Sequence, residues 1–193
     1  KQTHFNTATP LTLAETASVF GEMLTFKSLL KNSKDRIEKK ALLANKVEDM
    51  LNTVVRQISF YEFEKKLHDL RKKSELSIDT ICSLWMEEQK KSLGPAIKYE
   101  DEYKYYWSYI PHFIHSPFYV YAYAFGDCLV NSLYKVYENG LIDFDKKYIR
   151  LLESGGSQNY INLLKPFNLN PKNKLFWKKG LGVIDDLISQ LDT

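Results

Sequence analysis

Two carboxylates stand inside an apolar stretch near the start of the 193-residue sequence. Glu15 and Glu22 are two helical turns apart, so a helix through both would carry them on one face, with Ser18 between them. A buried carboxylate is costly unless a cation, a hydrogen-bond donor or water satisfies it. Two interpretations fit these residues. Either Glu15 forms a capping box with Thr12 while Glu22 faces solvent, or Glu15 is a metal ligand and Glu22 assists it without binding the metal itself.

Histidines and tyrosines gather in a second stretch further along the chain. His112 and His115 have a spacing that a metal pair can use, but no third ligand is close in the sequence, which favours ordinary loop and core roles. Tyr119 and Tyr123 are four residues apart and would share one helix face, whereas Tyr121 would point elsewhere. Core packing with a satisfied hydroxyl is the ordinary explanation for any one of these tyrosines.

A helix is expected to position the two carboxylates. Pro10 fixes φ before a helix and Thr12 is a good first-turn cap, so the sequence predicts a helix over 12–30. Its apolar residues cover most of the circumference, which is typical of a buried helix. These residues are Leu13, Ala14, Ala17, Val19, Phe20, Met23 and Leu24.

The remaining apolar pattern is also helical. Spacings of three and four predict a long helix from about 35 to past 70, with a bend near 59–63. Pro117 fits the first position of the helix that carries the tyrosines, predicted at 117–138. Further helices are predicted at 77–93, 144–154, 159–166 and 174–191. No segment alternates like a strand, so we expect an all-α fold in a single helical domain, 1–193.

Composition argues against several classes of function. The net charge is +3 and the basic residues are spread along the chain, so we expect no nucleic-acid partner. No apolar run is long enough to span a membrane, so no membrane partner is expected. Cys82 and Cys128 are too few and too far apart for a disulfide framework. We expect a cytoplasmic protein.

Residues 10–22 resemble the third-ligand helix of the oligoendopeptidase F family of zinc metallopeptidases, relatives of thimet oligopeptidase. In that family an HExxH helix gives two zinc-binding histidines and a general-base glutamate. A glutamate in an Ala-Glu-x-x-Ser setting completes the site. The resemblance implies that Glu15 is this third ligand, with Glu22 as an acceptor behind it. Glutamate follows none of the four histidines, so the resemblance implies the C-terminal part of a peptidase, without two ligands and the base.

The stretch around His112 is similar to the same family, which carries Ile-Pro-His-Phe followed by Phe-Tyr-Val-Tyr-x-Tyr. The resemblance implies that His112 contacts the peptide substrate. It also implies that Tyr123, together with Tyr119 and Tyr121, supplies phenol donors to the oxyanion of the tetrahedral intermediate. Similarity to the closing pattern of the family extends the resemblance over most of the chain, at residues 151–157, 163–165 and 176–184.

The resemblance implies a zinc-dependent oligoendopeptidase that hydrolyses short peptides once this chain is joined by the missing N-terminal part. We expect the chain by itself to bind no zinc and to be inactive. The alternative is a non-enzymatic helical interaction module from a split or decayed peptidase gene. A basic, aromatic nucleic-acid binder is a further rival, against which the scattered basic residues argue. Because the first helix is apolar on so many faces, we also expect self-association through residues 12–30.

Overall fold

The computed structural model describes residues 2–191, which form helices and loops with no strand among them. The predicted all-α fold is confirmed. The α-helices are α1 Thr16–Asn32, α2 Arg36–Leu51, α3 Gln57–Arg71, α4 Ile78–Leu93, α5 His112–His115, α6 Tyr121–Glu138, α7 Phe144–Glu153, α8 Tyr160–Leu164 and α9 Lys174–Leu191. The 3₁₀ helices are His4–Asn6, Leu11–Leu13, Gly94–Ala96, Asp101–Tyr109 and Lys165–Phe167. Within the described residues, no helix is both long and apolar enough to cross a membrane.

The chain divides into two compact units. The first unit combines the chain up to Met50 with the chain from Phe125 onward, and the second unit is Leu51–Ala124. Each unit has buried apolar residues of its own. The single domain that the sequence predicts over 1–193 stays a prediction.

Helix α1 begins four residues later than predicted. Thr12 is not its cap, because it lies inside the 3₁₀ helix Leu11–Leu13. Glu15 is the last residue before α1, with φ −90° and ψ 5°, and its side chain makes no capping hydrogen bond. The prediction that one helix contains both carboxylates is therefore wrong, since only Glu22 lies inside α1.

Helix α1 buries one face and not most of its circumference. Its buried residues recur every three or four positions, which gives a single stripe along the helix. They are Thr16, Phe20, Met23 and Phe26. Ala17 and Leu24 are exposed on the remaining faces. The prediction of a helix buried on most sides is wrong, because small and apolar residues can occupy an exposed face without contributing to the core.

Aromatic stacking and a close helix crossing build the first unit. The ring of Phe20 in α1 lies 4.6 Å from that of Tyr148 and 5.6 Å from that of Phe144, both in α7. Helices α6 and α9 approach closely, because a Cβ added to Gly180 would lie 2.7 Å from the carbonyl oxygen of Cys128. Only glycine fits at that crossing without moving one of the helices.

Helix α9 is also anchored by an indole. The Nε1–H of Trp177 donates to the carbonyl oxygen of Pro171 at 2.9 Å. Its ring packs edge-on against Phe125 at 5.2 Å and Phe176 at 4.9 Å between centroids. The start of α9 is thereby tied to the aromatic core of the first unit.

A glycine pair holds the segment that leads to α1. The N–H of Gly156 donates to the carbonyl oxygen of Asn6 at 2.9 Å. Gly155 has φ +48°, and a Cβ added there would collide with the same carbonyl oxygen of Asn6. A Cβ on Gly156 would lie 2.5 Å from the carbonyl oxygen of Ala8. Both positions therefore need glycine.

The second unit packs around one aromatic cluster. Phe60 and Phe63 of α3, Trp85 of α4 and Val120 form its fully buried centre. The ring of Trp85 lies 5.2 Å from Phe60 and 5.3 Å from Phe63. The Nε1–H of Trp85 donates to the carbonyl oxygen of Tyr103 at 3.0 Å, so this large buried ring leaves no donor unsatisfied.

Two irregularities differ from the predicted helices. The long helical segment changes to a π-helix at Asn52–Arg56. The bend predicted near 59–63 would lie further on, within helix α3, and stays a prediction. The wider i→i+5 hydrogen bonding of a π turn explains an irregularity that apolar spacing alone does not locate. Helix α6 begins at Tyr121 and not at Pro117, because Phe118 has φ +59° and cannot continue a right-handed helix.

Candidate functional site

His112, Tyr119 and Tyr123 form one half-buried cluster in the second unit. The Nε2 atom of His112 lies 3.1 Å from the Oη atom of Tyr123, within hydrogen-bond distance. The ring of Tyr119 stacks on the imidazole with 5.6 Å between centroids and meets the ring of Tyr123 edge-on at 5.3 Å. The imidazole and the phenol are therefore oriented by each other and by ring packing.

Short elements place these three side chains. His112 is the first residue of α5, directly after Pro111. Tyr119 lies in a turn that its own N–H closes by donating to the carbonyl oxygen of Ser116 at 3.1 Å. Tyr123 is in the first turn of α6. The prediction that Tyr119 and Tyr123 share one helix face is wrong, because Tyr119 precedes α6. Their rings meet through this turn instead.

Tyr121 and His115 stay outside the cluster. The ring of Tyr121 is exposed and packs edge-on against Tyr61 at 5.9 Å. His115 is exposed at the end of α5. The expectation that Tyr121 points away from Tyr119 and Tyr123 agrees with this arrangement.

Glu15 is exposed and locally bonded. The hydroxyl of Ser18 donates to its carboxylate Oε2 at 3.2 Å. No capping hydrogen bond joins Glu15 to the backbone of Thr12 among the described residues. A Cβ added to Gly126 would lie 3.9 Å from the Cβ of Glu15, so α6 passes the base of this side chain. The capping-box interpretation therefore fails, and the carboxylate is accessible.

Comparison with known proteins decides the family. The profile described as "Peptidase family M3" matches residues 1–183. The chain belongs to peptidase family M3. It is 36% identical over 146 residues to an oligoendopeptidase F homolog of Borreliella burgdorferi, which covers 75% of this chain and 25% of that protein. It is 31% identical over 184 residues to "Oligoendopeptidase F, plasmid" of Lactococcus lactis subsp. cremoris, over 95% of this chain and 30% of that protein.

A solved structure agrees with the family. The crystal structure of oligoendopeptidase-F from Enterococcus faecium matches with a TM-score of 0.85 at 26% identity. The match covers 94% of this chain and 35% of that chain. The resemblance to oligoendopeptidase F that residues 10–22 and 110–126 carry is confirmed. This M3 chain spans between a quarter and about a third of the length of these relatives.

The described part of the M3 chain does not complete a zinc site. Across residues 2–191, no group of three or more His, Cys, Asp or Glu side chains is placed to hold a metal ion. Zinc takes four ligands in a tetrahedral set, and carboxylate oxygen is one of the accepted types. The accessible carboxylate of Glu15 therefore fits one position of such a set and no more.

The charge of Glu22 acts on a buried carboxylate of α6. Glu22 is exposed on α1, and its negative charge acts on Asp127, which is 4% exposed. Burial raises the pKa of Asp127 to about 6, while the charge of Lys46 and the hydrogen bond from Asn131 act in the opposite direction. The Nδ2–H of Asn131 donates to Asp127 Oδ2 at 2.8 Å. The negative charge of Glu22 thus adds to the effect of burial on Asp127.

Glu64 is a functional candidate that the sequence analysis missed. It is fully buried in α3, and its Oε1 accepts the backbone N–H of Phe118 at 2.8 Å. It stands four residues after Phe60 and directly after Phe63, so it lies on the apolar face of α3. A carboxylate at an apolar position of a helix is the signal that would have pointed to it.

Proposed function

We propose that this M3 chain is part of the catalytic domain of a zinc-dependent oligoendopeptidase that hydrolyses short peptides. Membership of the family supports the peptidase class. The observation that carries the proposal is the His112–Tyr123 pair, 3.1 Å apart in a half-buried cluster. Both groups can donate a hydrogen bond and neither is fully buried, so they can contact a peptide carbonyl.

The pair offers a donor for charge that develops during peptide cleavage. When Nε2 of His112 carries its hydrogen, it donates to the phenol oxygen of Tyr123. The phenol O–H of Tyr123 is then proposed to donate to the oxygen of the scissile carbonyl. Donors fixed in advance at a developing oxyanion lower the barrier because they need no reorganisation. Tyr119 contributes by stacking on the imidazole and keeping it in place.

Glu15 is proposed as one ligand of the zinc ion. Its carboxylate is exposed, and the hydroxyl of Ser18 orients one of its oxygens. When bound, zinc polarises the scissile carbonyl and lowers the pKa of a water molecule. Glu22, which lies further along α1, is proposed to assist Glu15 without binding the zinc itself. The remaining ligands and the general base would come from an HExxH segment outside these 193 residues.

An activity assay tests this proposal. The 193-residue chain with added zinc is expected not to cleave fluorogenic peptides, because one carboxylate is a poor zinc site. The complete protein that contains the chain is expected to cleave them and to lose activity with a chelator. Chelator-sensitive cleavage by the chain alone, or none by the complete protein, would contradict the proposal.

An interaction module is the second candidate, and the exposed apolar residues of α1 favour it. Leu24 and Leu29 are 40% and 52% exposed, and Leu11 just before α1 is 49% exposed. Self-association of the chain through this face is expected to raise its mass in light scattering, and Leu24→Glu with Leu29→Glu is expected to restore a monomer. The upstream reading frame separates the two functions. An HExxH segment in the same or a neighbouring protein supports the peptidase, and its absence supports the module.

A further inference from the structure

The buried carboxylate of Glu64 has a specific partner 54 residues away. Its side chain is 0% exposed, and Oε1 accepts the N–H of Phe118 at 2.8 Å. Burial raises the pKa of Glu64, while the Phe118 hydrogen bond and the charges of His68 and His112 act in the opposite direction. A carboxylate is expensive to bury, so one kept at this position is expected to do more than fill space.

The partner residue adopts a conformation that side chains rarely accept. Phe118 has φ +59°, in the left-handed region that glycine prefers. Such a conformation is strained and persists only where the surroundings hold it. Two contacts from α3 do so here. Glu64 binds the backbone N–H, and the imidazole of His68, one turn further along, packs on the Phe118 ring at 4.9 Å.

The conformation of Phe118 determines where the next residues lie. The turn brings the N–H of Tyr119 to the carbonyl oxygen of Ser116 and directs Val120 into the aromatic core, where it is fully buried. Helix α6 starts at the following residue, with Tyr123 in its first turn. The stacking of Tyr119 on His112 and the start of α6 both follow from this turn.

We propose that Glu64 is a positioning residue for the substrate-contacting cluster: by holding Phe118 in its left-handed turn, it places the Tyr119 ring and the Tyr123 hydroxyl against His112. This inference rests on the proposed peptidase function. Glu64 is fully buried and does not touch the peptide. Its loss is therefore expected to lower kcat by misplacing a donor, with little effect on KM.

Hydrogen exchange of the 193-residue chain tests the turn directly. In Glu64→Leu, the Phe118 amide loses its acceptor oxygen, so its exchange is expected to become about 10- to 100-fold faster. Glu64→Gln keeps an acceptor oxygen and is expected to stay within a few-fold of wild type. Glu88→Leu is the matched control, because Glu88 is a buried carboxylate of the same unit that pairs with Lys66. It should leave Phe118 exchange unchanged.

Peptide cleavage by the complete protein tests the consequence. Glu64→Leu is expected to lower kcat about 100-fold, the effect of a misplacement of roughly 1 Å. Adding Phe118→Gly to that variant is expected to recover at least tenfold of the loss, because glycine adopts the turn without help. A merely destabilising substitution would not be rescued by a second change at the turn.

The outcomes separate this inference from the proposed function. Unchanged Phe118 exchange in Glu64→Leu, or an unchanged kcat, would overturn the positioning role. A loss of kcat that Phe118→Gly does not relieve would overturn it too. If the wild-type protein cleaves no peptide while the exchange pattern is as expected, the proposed function fails and the control of the turn by Glu64 stands.

Discussion

The segment around Glu15 and the cluster around His112 are organised in different ways. Glu15 is an exposed carboxylate just before α1, and its side chain accepts a hydrogen bond from exposed Ser18, three residues on. His112 and Tyr123 are half-buried, bonded at 3.1 Å and covered by Tyr119. The cluster is therefore formed within this chain, whereas Glu15, the proposed zinc ligand, has no set of further ligand side chains around it among the described residues.

This difference distinguishes the preorganised residues of the proposed site from those that are not. The two tyrosines and the imidazole already contact one another in the free chain, so their geometry does not have to be formed when a peptide arrives. A single exposed carboxylate keeps its rotamer freedom until a cation fixes it. Substitution of Glu15 should therefore weaken metal binding, whereas substitutions in the cluster around His112 should lower turnover.

The largest effect is expected at Glu15. In the complete protein, Glu15→Gln should weaken zinc binding by more than about 100-fold, since the loss of an outer partner of a ligand already costs 10–100-fold. Zinc titration with a competing chelator measures this. Glu22→Gln is the control, with a loss no greater than that of an outer partner. Unchanged zinc affinity in Glu15→Gln would remove this residue from the metal site.

The next effect is expected at Tyr123. In the complete protein, Tyr123→Phe should lower kcat by about 100-fold or more with little change in KM, because the donor acts on charge that appears only in the transition state. Tyr121→Phe is the matched control, since its ring is exposed and packs on Tyr61. A normal kcat in Tyr123→Phe would remove the donor role from Tyr123 and leave Tyr119 as the candidate in the cluster.

The buried carboxylate of the first unit should make stability depend on pH. The pKa of Asp127 is raised from 3.8 to about 6, so its neutral form favours folding below pH 4 and that contribution is lost as pH rises through 6. The shift corresponds to about 3 kcal/mol. Urea midpoints should show Asp127→Asn gaining on wild type between pH 4.5 and pH 8. Exposed Asp185→Asn should show no such gain.

The smallest effect is expected at the glycine pair. Gly155→Ala should destabilise the 193-residue chain by about 1–3 kcal/mol, because its φ is positive and the new Cβ would meet Asn6. Gly182→Ala is the opposite case. No atom lies within 4 Å of its new Cβ in α9, so a gain of about 0.5–1 kcal/mol is expected. Equal urea midpoints for the two variants would contradict both expectations.

Sequence reasoning predicted the fold class well and helix starts less well. Apolar spacing is enough to predict helices, because it repeats over many residues. The start of α1 was misplaced because Pro10 and Thr12 are equally suited to the short 3₁₀ helix that occupies residues 11–13. Pro117 is likewise not the first residue of α6, because a left-handed turn at Phe118 lies between them.

The candidate site shows where local patterns stop being informative. The resemblance to the family pointed to His112, and the ring contact between Tyr119 and Tyr123 arises from a turn before α6 and not from helical spacing. The bond between Glu64 and the backbone of Phe118 joins residues 54 positions apart. No spacing rule encodes such a contact, although a carboxylate on the apolar face of α3 signals that some partner must exist.

The tryptophans give the two units separate optical signals. Trp85 and Trp107 belong to the second unit and Trp177 to the first. Trp85 is fully shielded from water, whereas Trp177 is partly exposed, so their fluorescence should differ in wavelength before any denaturant is added. Replacing Trp177 with Phe leaves emission from the second unit alone. Comparing the melting curve of this variant with that of the wild-type chain then shows whether the two units unfold together or one after the other, without labels.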